Sequence, residues 1–77
     1  MTIDNGQLTI YPNPSKDYIT IYGSNIKQVI IGDISGRVLI KTTDKKIDIS
    51  SLVSGTYIVQ IETLNGNRVT EKLVKLP

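Results

Sequence analysis

The side chains that could do chemistry are few, and their spacing suits none of the common reactions. The chain of 77 residues contains neither histidine nor cysteine. It therefore lacks the usual general base near neutral pH, the commonest metal ligand, the thiolate nucleophile and any disulfide framework. No pair of carboxylates, phosphate loop or nucleophile with its base occurs in a supporting context. Asp33, Asp44 and Asp48 fall on different turns and do not have the fixed ligand spacing of a calcium loop. Gly32 and Gly36 surround a hairpin and precede a strand, unlike the strand-to-helix phosphate turn of a nucleotide site. Tyr11, Tyr18 and Tyr22 offer rings on which a sugar could stack, although Tyr18 and Tyr22 would equally cover a sheet face. This inventory predicts a chain that is not an enzyme and carries no metal or cofactor.

Charge and hydropathy narrow the partners. Nine basic and seven acidic residues are scattered along the chain, for a net charge of +2. A nucleic-acid binder would gather its cations in a patch, whereas the densest basic pair here, Lys45-Lys46, reads as a solvated turn. No stretch approaches the roughly 20 apolar residues of a transmembrane segment, and no signal peptide opens the chain. An exported version would thus be cut from a longer precursor. The lack of cysteine is compatible with both cytosol and export.

The elements that must position these residues are short strands. Residues 1–7 are polar apart from Ile3 and contain Asn5-Gly6, so they read as a linker or N-terminal end, leaving 8–77 as the domain. Leu8 and Ile10 mark a first strand that stops at Tyr11-Pro12-Asn13-Pro14, because two prolines one residue apart cannot both supply ladder donors. Asp17 to Tyr22 alternates as a second strand, and Lys27 to Ile31 forms a third with Val29 and Ile31 on one face. A hairpin loop at Asp33-Ile34-Ser35-Gly36 leads into Arg37 to Thr42, where Val38 and Ile40 are expected to face inward. Ile47 and Ile49 mark a short fifth strand. Asn65-Gly66 is the strongest hairpin signal and predicts a last strand, Arg68 to Leu76, antiparallel to its predecessor. The adjacent Leu73 and Val74 suggest a bulge, or a segment covered on both faces.

The best-specified stretch is Ser51 to Ile61. Tyr57, Val59 and Ile61 share one face against Thr56, Gln60 and Glu62, and only Ile58 breaks the pattern. Gly55 stands where a chain leaving a loop often needs a backbone conformation that side chains disfavour. Gly-x-Tyr at the start of a penultimate strand also allows the tyrosine hydroxyl to reach back to the preceding corner of a β-sandwich. Seven short strands with turn signals between them predict an all-β, seven-stranded antiparallel, immunoglobulin-like β-sandwich. A small barrel would show the same alternation.

Four segments, in order, resemble the C-terminal sorting domain of proteins exported by the type IX secretion system of Bacteroidetes. They are Tyr11-Pro12-Asn13-Pro14, the central hairpin from Val29 to Val38 with Asp33, Gly36 and Arg37, the stretch from Leu52 to Ile61 with Gly55 and Tyr57, and Lys72-Leu73-Val74-Lys75. They span residues 11 to 75. The chain departs from the family in having Gly32 where an aromatic residue is usual, and Leu76 and Pro77 after the terminal lysine.

The resemblance implies a non-catalytic signal that follows an N-terminal cargo domain through the periplasm to the cell surface or the medium. The implied partners are the outer-membrane translocon with its shuttle proteins, and a sortase-like cysteine peptidase that removes the domain and joins some cargo to anionic lipopolysaccharide. Lys72, Leu73, Val74 and Lys75 match the family's terminal motif, and an exposed last strand would offer backbone donors and charge to a receptor. Lysines on an edge strand also serve as gatekeepers against pairing, and an unpaired last strand would permit an edge-mediated homodimer. Pro12, Asn13 and Pro14 would set the angle at which the chain enters the domain, while Gly36, Gly55 and Tyr57 are read as structural. The competing reading is an immunoglobulin- or fibronectin-like accessory module that binds carbohydrate or a neighbouring domain.

Overall fold

The computed structural model describes residues 8–23 and 25–77; the expected linker at 1–7 lies outside them. Seven strands form: β1 (Thr9–Tyr11), β2 (Tyr18–Tyr22), β3 (Ile26–Asp33), β4 (Val38–Thr42), β5 (Lys46–Asp48), β6 (Gly55–Thr63) and β7 (Arg68–Lys75). They make a three-stranded sheet in the order β1-β2-β5 and a four-stranded sheet in the order β4-β3-β6-β7. Every strand pairing is antiparallel. This is the sandwich architecture of immunoglobulin-like domains, with the fourth strand beside the third rather than in the sheet of the first two.

Period-two alternation builds the core. From the three-stranded sheet come Ile10, Ile19, Ile21 and Ile47, flanked by Leu8 and Ile49; from the other come Val29, Ile31, Tyr57, Val59, Ile61 and Leu73, all in one buried cluster. β-Branched side chains suit this role, since their stiff rotamers fit a pleated surface. Truncating a fully buried one such as Ile19 or Ile61 would cost about 2–5 kcal/mol, a large share of the stability of so small a domain.

Tyr57 anchors the corner before β6. Its ring is buried, and its hydroxyl donates to the Val53 carbonyl at 2.5 Å, four residues upstream. Gly55 opens the strand with φ +150°, in the region that favours glycine. The β6–β7 hairpin closes over Leu64–Asn67: Thr63 N–H donates to the Asn67 carbonyl at 2.8 Å, and the buried Thr63 hydroxyl pairs with the Asn65 side chain.

Two expectations need correction. Val38 faces out, not in, and is 57% exposed, while Ile40 is half-buried against the core. The register explains this: Ile31 pairs with Ile40 but Gly32 pairs with Val38, so Leu39 is an extra residue that reverses the alternation. β7 has no bulge. Its register with β6 is continuous, and Leu73 simply points into the core while Val74 lies half-buried on the outer face.

The turns hold their aspartates ionised. The Asp33 carboxylate accepts from the Ser35 hydroxyl (2.6 Å), the Ser35 N–H (3.0 Å) and the Arg37 N–H (3.0 Å), with the Arg37 guanidinium at 3.5 Å. Asp48 accepts from the hydroxyl and N–H of Ser50 at 2.6 and 2.8 Å. These hydrogen bonds, the serine hydroxyl foremost in each case, hold both carboxyls below their ordinary range.

Replacing Tyr57 with Phe should lower the unfolding free energy by about 1 kcal/mol without changing the slope of a urea titration. As the folded pKa values of Asp33 and Asp48 lie below the unfolded ones, their stabilisation is complete above the unfolded values and is lost as pH falls through the folded ones. The double variant Asp33→Asn, Asp48→Asn should therefore show a flatter loss of thermal midpoint between about pH 5 and about pH 2 than the parent.

Candidate functional site

The first and last segments of the family motif meet in space. After β1 the chain turns through Tyr11-Pro12-Asn13-Pro14, with both X-Pro bonds cis, and lies along the outer edge of β7. The Asn13 side chain bridges two backbone groups of that strand: its amide donates to the Lys72 carbonyl at 2.7 Å, and its oxygen accepts from the Val74 N–H at 3.0 Å. Ser15 continues the seam as a parallel bridge with Lys75. Its N–H donates to the Val74 carbonyl at 2.9 Å, and its carbonyl accepts from the Leu76 N–H at 2.7 Å. The buried Ser15 hydroxyl donates to the Tyr18 carbonyl, tying the seam to the start of β2 and so to the other sheet.

This geometry corrects the picture of a free last strand. β7 ends its sheet, but from Lys72 to Leu76 its outward backbone groups are already bonded to Asn13 and Ser15. The four motif residues also separate by face. Lys72 is exposed and Val74 half-buried on the outer face, whereas Leu73 is fully buried and Lys75 is only 6% exposed. Strand alternation dictates this split. The Lys75 ammonium donates to the Leu76 carbonyl at 2.8 Å. Leu73 and Lys75 are thus not part of an outward contact surface in this fold.

The remaining motif residues lie apart from the seam. Asp33, Gly36 and Arg37 shape the β3–β4 turn, where Gly36 has φ +97°. Leu52, half-buried against the core, and Gly55 frame the Tyr57 corner. Asp33 and Asp48 are each held within their own turn by serine, and the described residues contain no group of three acidic side chains that could hold a metal ion. Tyr11, Tyr18 and Tyr22 share the outer face of the three-stranded sheet. Their rings do not form a platform: Tyr11 and Tyr22 tilt at 59° to each other with centroids 6.1 Å apart, and the Lys46 ammonium lies 4.6 Å over Tyr18. Sequence reading missed the pairing of Asn13 with β7. Its only local signal was an asparagine between two prolines, a side chain with both a donor and an acceptor flanked by residues that have no backbone N–H.

The result is a small all-β sandwich whose first loop is sewn to its last strand. The chain belongs to the secretion system C-terminal sorting domain family, whose model matches residues 9–76. It is a non-catalytic sorting domain of the type IX secretion system. It is also 34% identical over 70 residues to Beta-agarase D of Zobellia galactanivorans, a match that covers 88% of this chain and 15% of that protein. No solved structure matches it.

Replacing Asn13 with Ala removes two hydrogen bonds and frees the Lys72 carbonyl and Val74 N–H. The expected outcome is a loss of about 1–2 kcal/mol in urea unfolding and a new concentration-dependent association, measurable by sedimentation, as the edge opens.

Proposed function

We propose that the domain travels behind a larger cargo through the periplasm, is bound there in its folded state by the outer-membrane translocon and its shuttle proteins, and is afterwards removed by a sortase-like cysteine peptidase. The cargo then resides at the cell surface or in the medium. The observation that carries this reading is the seam, since it joins the first and last family segments into one surface that exists only in the folded domain. A linear tag would need no such closure. The chain spans 15% of the length of the curated relative that it matches. That relative, named an agarase, illustrates the arrangement: a polysaccharide-active enzyme whose remaining length would be the cargo.

On this reading Lys72 is an electrostatic contact of the receptor, acting mainly on the rate of encounter and on selectivity. The chain would be the peptidase's substrate, cleaved on the N-terminal side of the folded domain.

The test places residues 1–77 behind a signal peptide and an inert fluorescent cargo. Fluorescence should reach the medium or surface of a type IX-competent strain and stay in the periplasm of a translocon-null strain. Periplasmic retention in both strains, with the domain folded, would sink the proposed route.

A further inference from the structure

The outer face of the four-stranded sheet has a built-in pit. Register places Val38, Gly32, Ile58 and Lys72 side by side across the four strands, and Lys41, Ile30, Gln60 and Thr70 in the next row. Gly32 has no side chain, and above it opens a cavity of about 170 Å³ lined by Ile30, Ile34, Val38 and Ile58, with Gln60 and Asp33 as its polar side chains. The chain cannot fill it with its own side chain at position 32. A Cβ there would stand 2.8 Å from the Arg37 carbonyl oxygen, where the bulged β4 crosses closest. Four of the lining side chains are aliphatic and no described strand lies over them; Ile34 is 78% and Val38 57% exposed. Ile58, the one residue that broke the alternation of β6, forms part of this floor.

The rim has a sign. Lys41, Arg68 and Lys72 point from this face; the acids beside them are Glu62, opposite Arg68, and Asp33, which lines the pit with the Arg37 guanidinium at 3.5 Å. Lys41 and Lys72 stand on opposite edge strands, three strand spacings or about 14 Å apart across the sheet and one row apart along it. A second copy of the chain would set cation against cation. An anionic lipid surface would engage the lysines but leave the pit empty. A protein surface offering one aliphatic or aromatic side chain flanked by carboxylates satisfies both features, for a cavity of about 150 Å³ accepts a ring the size of benzene, and buried apolar anchors with complementary charged rims are how protein interfaces gain affinity and selectivity.

We propose that the outer face of the four-stranded sheet, centred on the pit over Gly32 and rimmed by Lys41 and Lys72, docks on an acidic, apolar-tipped protein surface of the secretion machinery. This rests on the sorting function of the domain and assigns it a face. The seam organises the opposite side of Lys72, so the last strand contributes to docking through its outward side chains and not through its edge.

The experiment uses the same signal peptide–cargo–domain fusion with three variants: Ile58→Thr, which removes the floor but keeps a β-branched residue; Lys41→Glu with Lys72→Glu, which reverses the rim at exposed positions; and Tyr22→Thr on the other sheet as a control. Each purified domain is checked by thermal melting. Export should fall on the order of tenfold for the first two and stay at the parental level for the third. Parental export by folded floor and rim variants would overturn the docking face while leaving the sorting function intact. Failure of the parental fusion itself would overturn both. The purified domains are also sedimented with phosphatidylglycerol vesicles. Binding lost on rim reversal and kept by Ile58→Thr would assign the lysines to a lipid surface and overturn the protein partner; no binding, together with the export defect, supports the proposal.

Discussion

The structure depends on one layer of apolar side chains held between two sheets of unequal size. Three strands cannot cover four, so one edge of the larger sheet must overhang. β4 is that overhang. It supplies no fully buried residue, its Val38 turns outward, and its chain bulges at Leu39. At the opposite edge β7 is pulled inward by Leu73, which is fully buried. The two edges of one sheet thus have different fates for a single reason: one lies over the smaller sheet and the other does not.

Covering β7 brings a second requirement. An edge strand over the core presents unpaired backbone groups, and a row of these invites pairing with other chains. The domain answers with Asn13 and Ser15, which bond the outward groups from Lys72 to Leu76. The flanking prolines have no N–H to compete, so the asparagine amide becomes the donor that the backbone lacks. The motif at the end of the chain thus divides by strand alternation, with Lys72 and Val74 on the outer face and Leu73 and Lys75 buried.

Much of this was legible in the sequence where local chemistry and periodicity agreed. Gly55 and Tyr57 announced their corner because a turn residue met a clean alternation, and Asn65-Gly66 announced the last hairpin for the same reason. What could not be read was offset and distance. A single extra residue at Leu39 leaves no mark in composition but reverses the facing of Val38. The contact of Asn13 with β7 spans 59 positions in sequence, and no window of residues contains both partners. Leu73 beside Val74 left a bulge and a segment apolar on both faces open; with Ile30 and Ile58 on the outer face, an outward valine is consistent with its neighbours.

The seam between Asn13–Ser15 and β7 runs parallel, which sets how it bears a load. A pull that enters from the cargo side and is resisted at the C-terminal strand drags the two segments past each other along their length. The bonds at Lys72, Val74 and Leu76 are then strained together in shear, rather than peeled one at a time as at the open end of a hairpin. Traction along the chain therefore falls on these bonds jointly and not on one bond at a time.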